Sequence, residues 1–134
     1  MKKGLYVFAL FSWLLLTGMG ELTGEPENSI PTPDKNFDAT FIDNQDVTVK
    51  CTQVSMDGEI FIWGKKGKGT VTISFEKIKT IEFIGGNKFV TAEVELTDGK
   101  KVKIAIDNDK EFFGNLEFGT FQIEARDLKK IVLF

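Results

Sequence analysis

From Asp46 onward apolar and polar residues alternate along the chain, and the apolar positions are mostly β-branched or aromatic. A period of two places successive side chains on opposite faces of a sheet, so the pattern predicts strands throughout. No window carries a sustained 3.6-residue stripe, and only the 107–118 segment has room for a short helix. The chain also repeats itself. "GTVTISFEKIKTIEF" (69–83) is matched by "GTFQIEARDLKKIVLF" (119–134): Gly69-Thr70 aligns with Gly119-Thr120, Ile73 with Ile123, Ile78 with Leu128 and Ile81 with Ile131. Upstream of each copy stands an Asp-Gly pair (Asp57-Gly58, Asp98-Gly99) between alternating runs, a strong hairpin signal because both positions tolerate φ > 0.

In "SFEKIKTI" and "EARDLKKI" the inward set jumps from a spacing of two to three, which implies a single helical turn or a bulge at each corner. A half of roughly 40 residues is too small to stand alone without disulfide or metal. The pattern therefore predicts one all-β domain of about eight antiparallel strands, a small barrel or sandwich built from two similar halves, about 46–84 and 88–134. Ile73 and Ile123, like Ile81 and Ile131, are expected to be equivalently buried in one shared core. The strand–corner–strand endings at 69–83 and 119–134 resemble the SH3-like and Sm-like small barrels, in which a short 3₁₀ turn separates the last two strands. The resemblance implies a fold class and no function.

Ahead of the strands the composition changes twice. Lys2 and Lys3 precede the apolar run Leu5–Leu16 and then "GMG", the charged region, apolar region and small-residue cut of a signal peptide over 1–20. A spanning helix needs about 20 apolar residues, more than this run supplies. No Cys follows the run, which closes the lipoprotein route. The expected product is periplasmic or secreted, with no stable membrane insertion after cleavage. Residues 21–36 hold all three prolines (Pro26, Pro31, Pro33) and read as a flexible linker before a domain at 37–134. Removing the leader moves the net charge from −3 to −5. With its basic residues scattered, such a chain offers no footprint for nucleic acid. "KKGKG" (65–69) reads as a solvated hairpin tip.

The residue inventory narrows the chemistry. The chain has no His, so Ser-His-Asp and Cys-His catalysis and His-ligated metals are excluded. Cys51 is the only cysteine and stands in phase with Val47 and Val49, which reads as a buried, inert thiol. There is neither a P-loop nor a dinucleotide fingerprint. "DNDKE" (107–111) begins like an EF-hand loop, but its sixth position is Phe112 instead of Gly and its twelfth is Phe118 instead of Glu. No catalytic residue, metal site or cofactor is assigned.

The aromatic residues are the remaining candidates. Eleven of the 13 phenylalanines and Trp63 lie beyond residue 20. In "KVKIAI" (101–106) Val102, Ile104 and Ile106 face inward. Aligning "EIFIW" (59–63) with it turns Ile60 and Ile62 inward and Phe61 and Trp63 outward. Such a pair needs cover, either from "FDATFI" (37–42) folded back across it or from a partner. Phe112 and Phe113, in the segment that the alignment leaves as an inserted 107–118 loop, either cap the barrel or add to a contact surface. Phe61, Trp63, Phe112 and Phe113 are the candidate protein-partner site of a non-enzymatic adaptor docking on an envelope or extracellular assembly. The alternatives are a ligand-binding barrel for a small apolar molecule or glycan and, last, a hydrolase.

Overall fold

A computed structural model describes residues 35–134, so the signal peptide expected at 1–20 and the linker up to residue 34 lie outside the described residues. The domain is all-β. Its strands are β1 (Ala39–Asp43), β2 (Thr48–Met56), β3 (Phe61–Lys66), β4 (Gly69–Ser74), β5 (Ile78–Ile84), β6 (Phe89–Leu96), β7 (Lys101–Asp107), β8 (Glu111–Leu116), β9 (Gly119–Glu124) and β10 (Leu128–Leu133). Two 3₁₀ turns, η1 (Phe75–Lys77) and η2 (Ala125–Asp127), fall at the corners where the apolar spacing breaks. At η1 the Ser74 hydroxyl accepts from the Glu76 N–H at 3.2 Å; Glu124 makes no such cap at η2.

Ten strands form, not about eight, and the two additions have identifiable causes. β1 comes from "FDATFI", which is laid between β10 and β2 with Phe41 buried, instead of across β3. β8 comes from the segment read as an inserted loop. "EFFGNL" lacks alternation because Phe112 and Phe113 on opposite faces are both buried and Gly114 replaces a side chain where the chains crowd together.

All pairings are antiparallel, and the strands form one curled sheet in the order β4-β3-β7-β6-β5-β10-β1-β2-β8-β9. The order is palindromic in the repeat. β3, β4 and β5 restart 50 residues later as β8, β9 and β10. At the centre Ile81 pairs with Ile131, its own repeat mate, flanked by Thr80–Val132 and Glu82–Lys130. An approximate two-fold axis therefore passes through the Ile81–Ile131 pair. The halves it relates are not those read from the sequence. One is the contiguous run β3–β7; the other joins β1 and β2 to β8, β9 and β10, with the first half set between them.

The Asp-Gly turns show how this comes about. Asp98-Gly99 closes the β6–β7 hairpin, whose ladder runs from Glu95–Lys101 to Phe89–Asp107. At Asp57-Gly58 the turn also forms, with φ of 51° and 90°, but only the Met56–Glu59 bridge holds. Beyond it β2 pairs with β8 and β3 with β7. A local turn signal specifies the reversal and leaves strand partners to the apolar faces.

The core follows from those faces. Phe41, Met56, Ile62, Ile81, Ile106, Phe112 and Leu128 are almost fully removed from water. Each such side chain contributes roughly 1.5–3 kcal/mol of burial. Ile81 and Ile131 are equally buried, whereas Ile73 is buried and Ile123 only half-buried. Ile123 lies beside a groove.

Candidate functional site: the outer face of β3

β3 carries apolar residues on both faces until Gly64. Ile62 is fully buried and sits opposite Ile73 of β4. Alternation then places Phe61 and Trp63 on the outer face, where both are half-buried. Their rings lie side by side, with centroids 5.6 Å apart and planes at 56°. Across the ladder Phe61 faces Ser74 and Trp63 faces Thr72, side chains too small to cover the rings. Part of Trp63 packs against the core, together with Ile60, so its ring is anchored.

A cation borders the pair. The Lys110 ammonium lies 5.2 Å from the centroid of Trp63 and 3.8 Å from Asp57. The contact arises because β8 begins against the Asp57-Gly58 turn that leads into β3, where the Asp57 N–H donates to the Glu111 carbonyl at 2.9 Å. Gly64 allows β3 to pass close to β7: a Cβ there would meet the Ala105 carbonyl oxygen at 2.5 Å. At its mate Gly114 an added Cβ would meet Cys51 Cβ at 2.5 Å and Sγ at 2.9 Å.

Phe112 and Phe113 are elsewhere. Phe112 is 1% exposed, opposite Met56 and edge-on to Phe83 at 5.7 Å. Phe113 is 6% exposed, opposite Ser55. Neither side chain has surface to offer, and the structure does not bring them into one exposed patch with Phe61 and Trp63. The faces assigned to Phe61 and Trp63 hold, but the strand whose alignment assigned them is not their repeat mate. The repeat mate of β3 is β8, not β7.

The acidic segment is part of the scaffold. Asn108 Nδ2 donates to the Asn87 carbonyl at 2.6 Å, and Glu111 accepts from Gln122 Nε2 at 2.7 Å. Among the described residues no group of three or more His, Cys, Asp or Glu side chains is placed to hold a metal ion. Cys51 is 1% exposed, and burial pushes its thiol up to about 11, which holds it as the unreactive thiol at neutral pH. Val47, read as inward with Cys51, is exposed in the turn before β2.

Two surfaces have no counterpart in the sequence reading. A groove runs along Phe121–Glu124 of β9, bounded by Asp43–Gln45, Glu111 and Asp127. A second lies between Phe118, which is 89% exposed, and Phe134, with Lys50 5.1 Å from the Phe134 ring centroid. Both involve residues brought together from distant strands, which no local pattern marks. Among the described residues no helix is long and apolar enough to cross a membrane.

A family model described as "Uncharacterised protein" matches residues 33–134, and the chain belongs to that family. No curated protein and no solved structure matches it.

Proposed function

We propose that this chain is an exported, non-enzymatic binding module that docks on a protein of an envelope or extracellular assembly through Phe61 and Trp63. The observation that carries the reading is the aromatic pair itself, half-buried on the outer face of a strand whose other face is locked into the core. Aromatic residues dominate interface hot spots, and a ring already anchored loses little freedom on binding. Trp63 supplies the anchor, Phe61 the accessible ring and Lys110 a charge beside them. A ligand-holding barrel fits less well, because Phe41, Met56, Phe112 and Ile106 fill the interior. The leader motif at 1–20 is the basis for export.

The test is photo-crosslinking from position 61 in cells of the source organism, paired with Phe61→Ser. The reading expects one protein adduct, lost when the crosslinker is moved to exposed Lys101, and a Phe61→Ser protein that keeps its melting temperature but no longer binds that partner. Absence of any adduct from position 61 would sink it.

A further inference from the structure

Among the described residues the sheet has two free edges, and neither is protected: β4 pairs there only with β3 and β9 only with β8. Natural edge strands are usually blunted by Pro, by charges on the strand or by a bulge. β4 is "GTVTIS" and β9 is "GTFQIE": no proline, no lysine, and a single charge at the end of β9. Neither ladder contains a register shift, so both edges run straight.

We infer that β4 of one copy of this chain pairs antiparallel with β9 of a second copy, continuing the sheet from molecule to molecule. The hydrogen-bond parity of the two hairpins sets the register. In the two-residue hairpins closed by Lys66–Gly69 and Leu116–Gly119, the backbone groups of residues 69, 71 and 73, and of 119, 121 and 123, point to the partner strand. Those of 70, 72 and 74, and of 120, 122 and 124, point outward to the free edge. Joining the outward sets as 70–124, 72–122 and 74–120 places Val71 opposite Ile123 and Ile73 opposite Phe121 of the second copy. All four belong to or pack against the core on the inner face. Sliding by two residues toward Gly119 would put Ile73 opposite that glycine and lose an apolar pair.

The charges agree with this register except at Lys68, which arrives opposite Arg126, itself 2.9 Å from Glu124. The β3–β4 tip carries Lys65, Lys66 and Lys68. In the proposed pairing it arrives at the groove beside β9, where Glu111, Glu124, Asp127 and Asp43 converge. Lys65 and Thr70 of one copy share a row with Glu124 and Glu111 of the next. A β4–β4 pairing would instead bring the lysine tips toward Lys77 of the other copy. Because the contact joins two different edges, each copy keeps one edge free, and growth continues beyond a dimer. The inference is independent of the docking role given to Phe61 and Trp63.

The experiment uses two variants that each block one edge. Residues 72 and 122 direct their N–H groups outward, so Thr72→Pro and Gln122→Pro remove no bond from the β3–β4 or β8–β9 ladders. Sedimentation of the purified wild-type protein up to about 1 mM should show species larger than a dimer, diminished by added salt. Each variant alone should be a monomer, and an equimolar mixture should form a dimer that stops at two. Should proline unfold either hairpin, seen by circular dichroism, the charge pair decides. Lys65→Glu should lose the large species, and mixing it with Glu124→Lys should restore them. A wild-type protein that is monomeric throughout, or a Gln122→Pro protein that dimerises alone, overturns the inference.

Discussion

The β3–β4 and β8–β9 hairpins share a backbone and differ in nearly everything they show to solvent. Both have six-residue strands, two-residue tips and a glycine at the same close approach, Gly64 and Gly114. At the second inner position Ile62 is matched by Phe112, and both are buried. On the outer face, half-buried Trp63 is matched by buried Phe113. The tips diverge furthest, with Gly67-Lys68 against Glu117-Phe118. The glycines that set strand approach are the same in both hairpins and the inner position beside them is buried in each, while the positions that meet solvent differ. The residues where the two halves disagree are accordingly the place to look for function.

The largest effect that would test this division is in the core. Phe112→Ala should cost about 3–5 kcal/mol and Ile62→Ala about 2–5 kcal/mol in chemical denaturation. Phe61→Ala should stay within about 0.5 kcal/mol, as a surface change does. A costly Phe61→Ala would place that ring in the core and remove the contrast.

Smaller effects should separate the two glycines. Gly64→Ala and Gly114→Ala each overpack a close approach and should cost about 1–3 kcal/mol. The obstacle differs: a backbone oxygen at Ala105 for Gly64, a side chain at Cys51 for Gly114. Adding Cys51→Gly should therefore make the Gly114 substitution less costly than it is in the wild-type background, a coupling read from a double-mutant cycle. No side-chain change can do the same for Gly64.

The smallest effect lies at the corners. Lys35 hydrogen-bonds Glu76 and holds its carboxyl below the usual carboxylate range; the mate of Glu76 is Arg126. Because folding lowers this pKa, the contribution is present above the ordinary carboxylate value and is lost as pH falls through the folded one. Glu76→Gln should remove a slight acid-dependent loss of stability between those limits, and salt should weaken it in the wild type. An unchanged acid titration in the variant would show that the pair contributes nothing.

Much of the architecture was legible because it is local. Alternation gave the strands, the spacing break gave both corners, and the Gly-Thr repeat gave the internal two-fold, though not the bounds of its halves. Three features were not. β8 is hidden because Phe112 and Phe113 are both buried and a glycine interrupts the pattern. The Asp-Gly turn that precedes both "EIFIW" and "KVKIAI" then drew β7 into the place of β8 as the mate of β3. The exchange of strands after Asp57-Gly58 depends on contacts between residues as far apart as Met56 and Phe112, to which a turn signal is blind. At the candidate site, alignment with "KVKIAI" gave the faces of Phe61 and Trp63 although β7 is not the repeat mate of β3, and no local pattern marks the approach of Lys110 to Trp63.

The order of strands on either side of the two-fold has a consequence for the gene. Ala39 at the start of β1 is paired with Leu133 at the end of β10, and the Phe134 N–H donates to the Asp38 carbonyl at 3.1 Å. The ends of the domain are therefore neighbours, and a short peptide could splice them. Were they spliced and the ring opened between β2 and β3, at Gly58–Glu59, the chain would read β3 to β7 and then β8, β9, β10, β1 and β2. Each symmetry-related half would then be one uninterrupted stretch. In genealogical terms the natural chain has the layout of a tandem duplication whose start point has moved by two strands, a circular permutation of its own ancestor. A permutant beginning at Glu59 would give the same sheet a simpler pedigree.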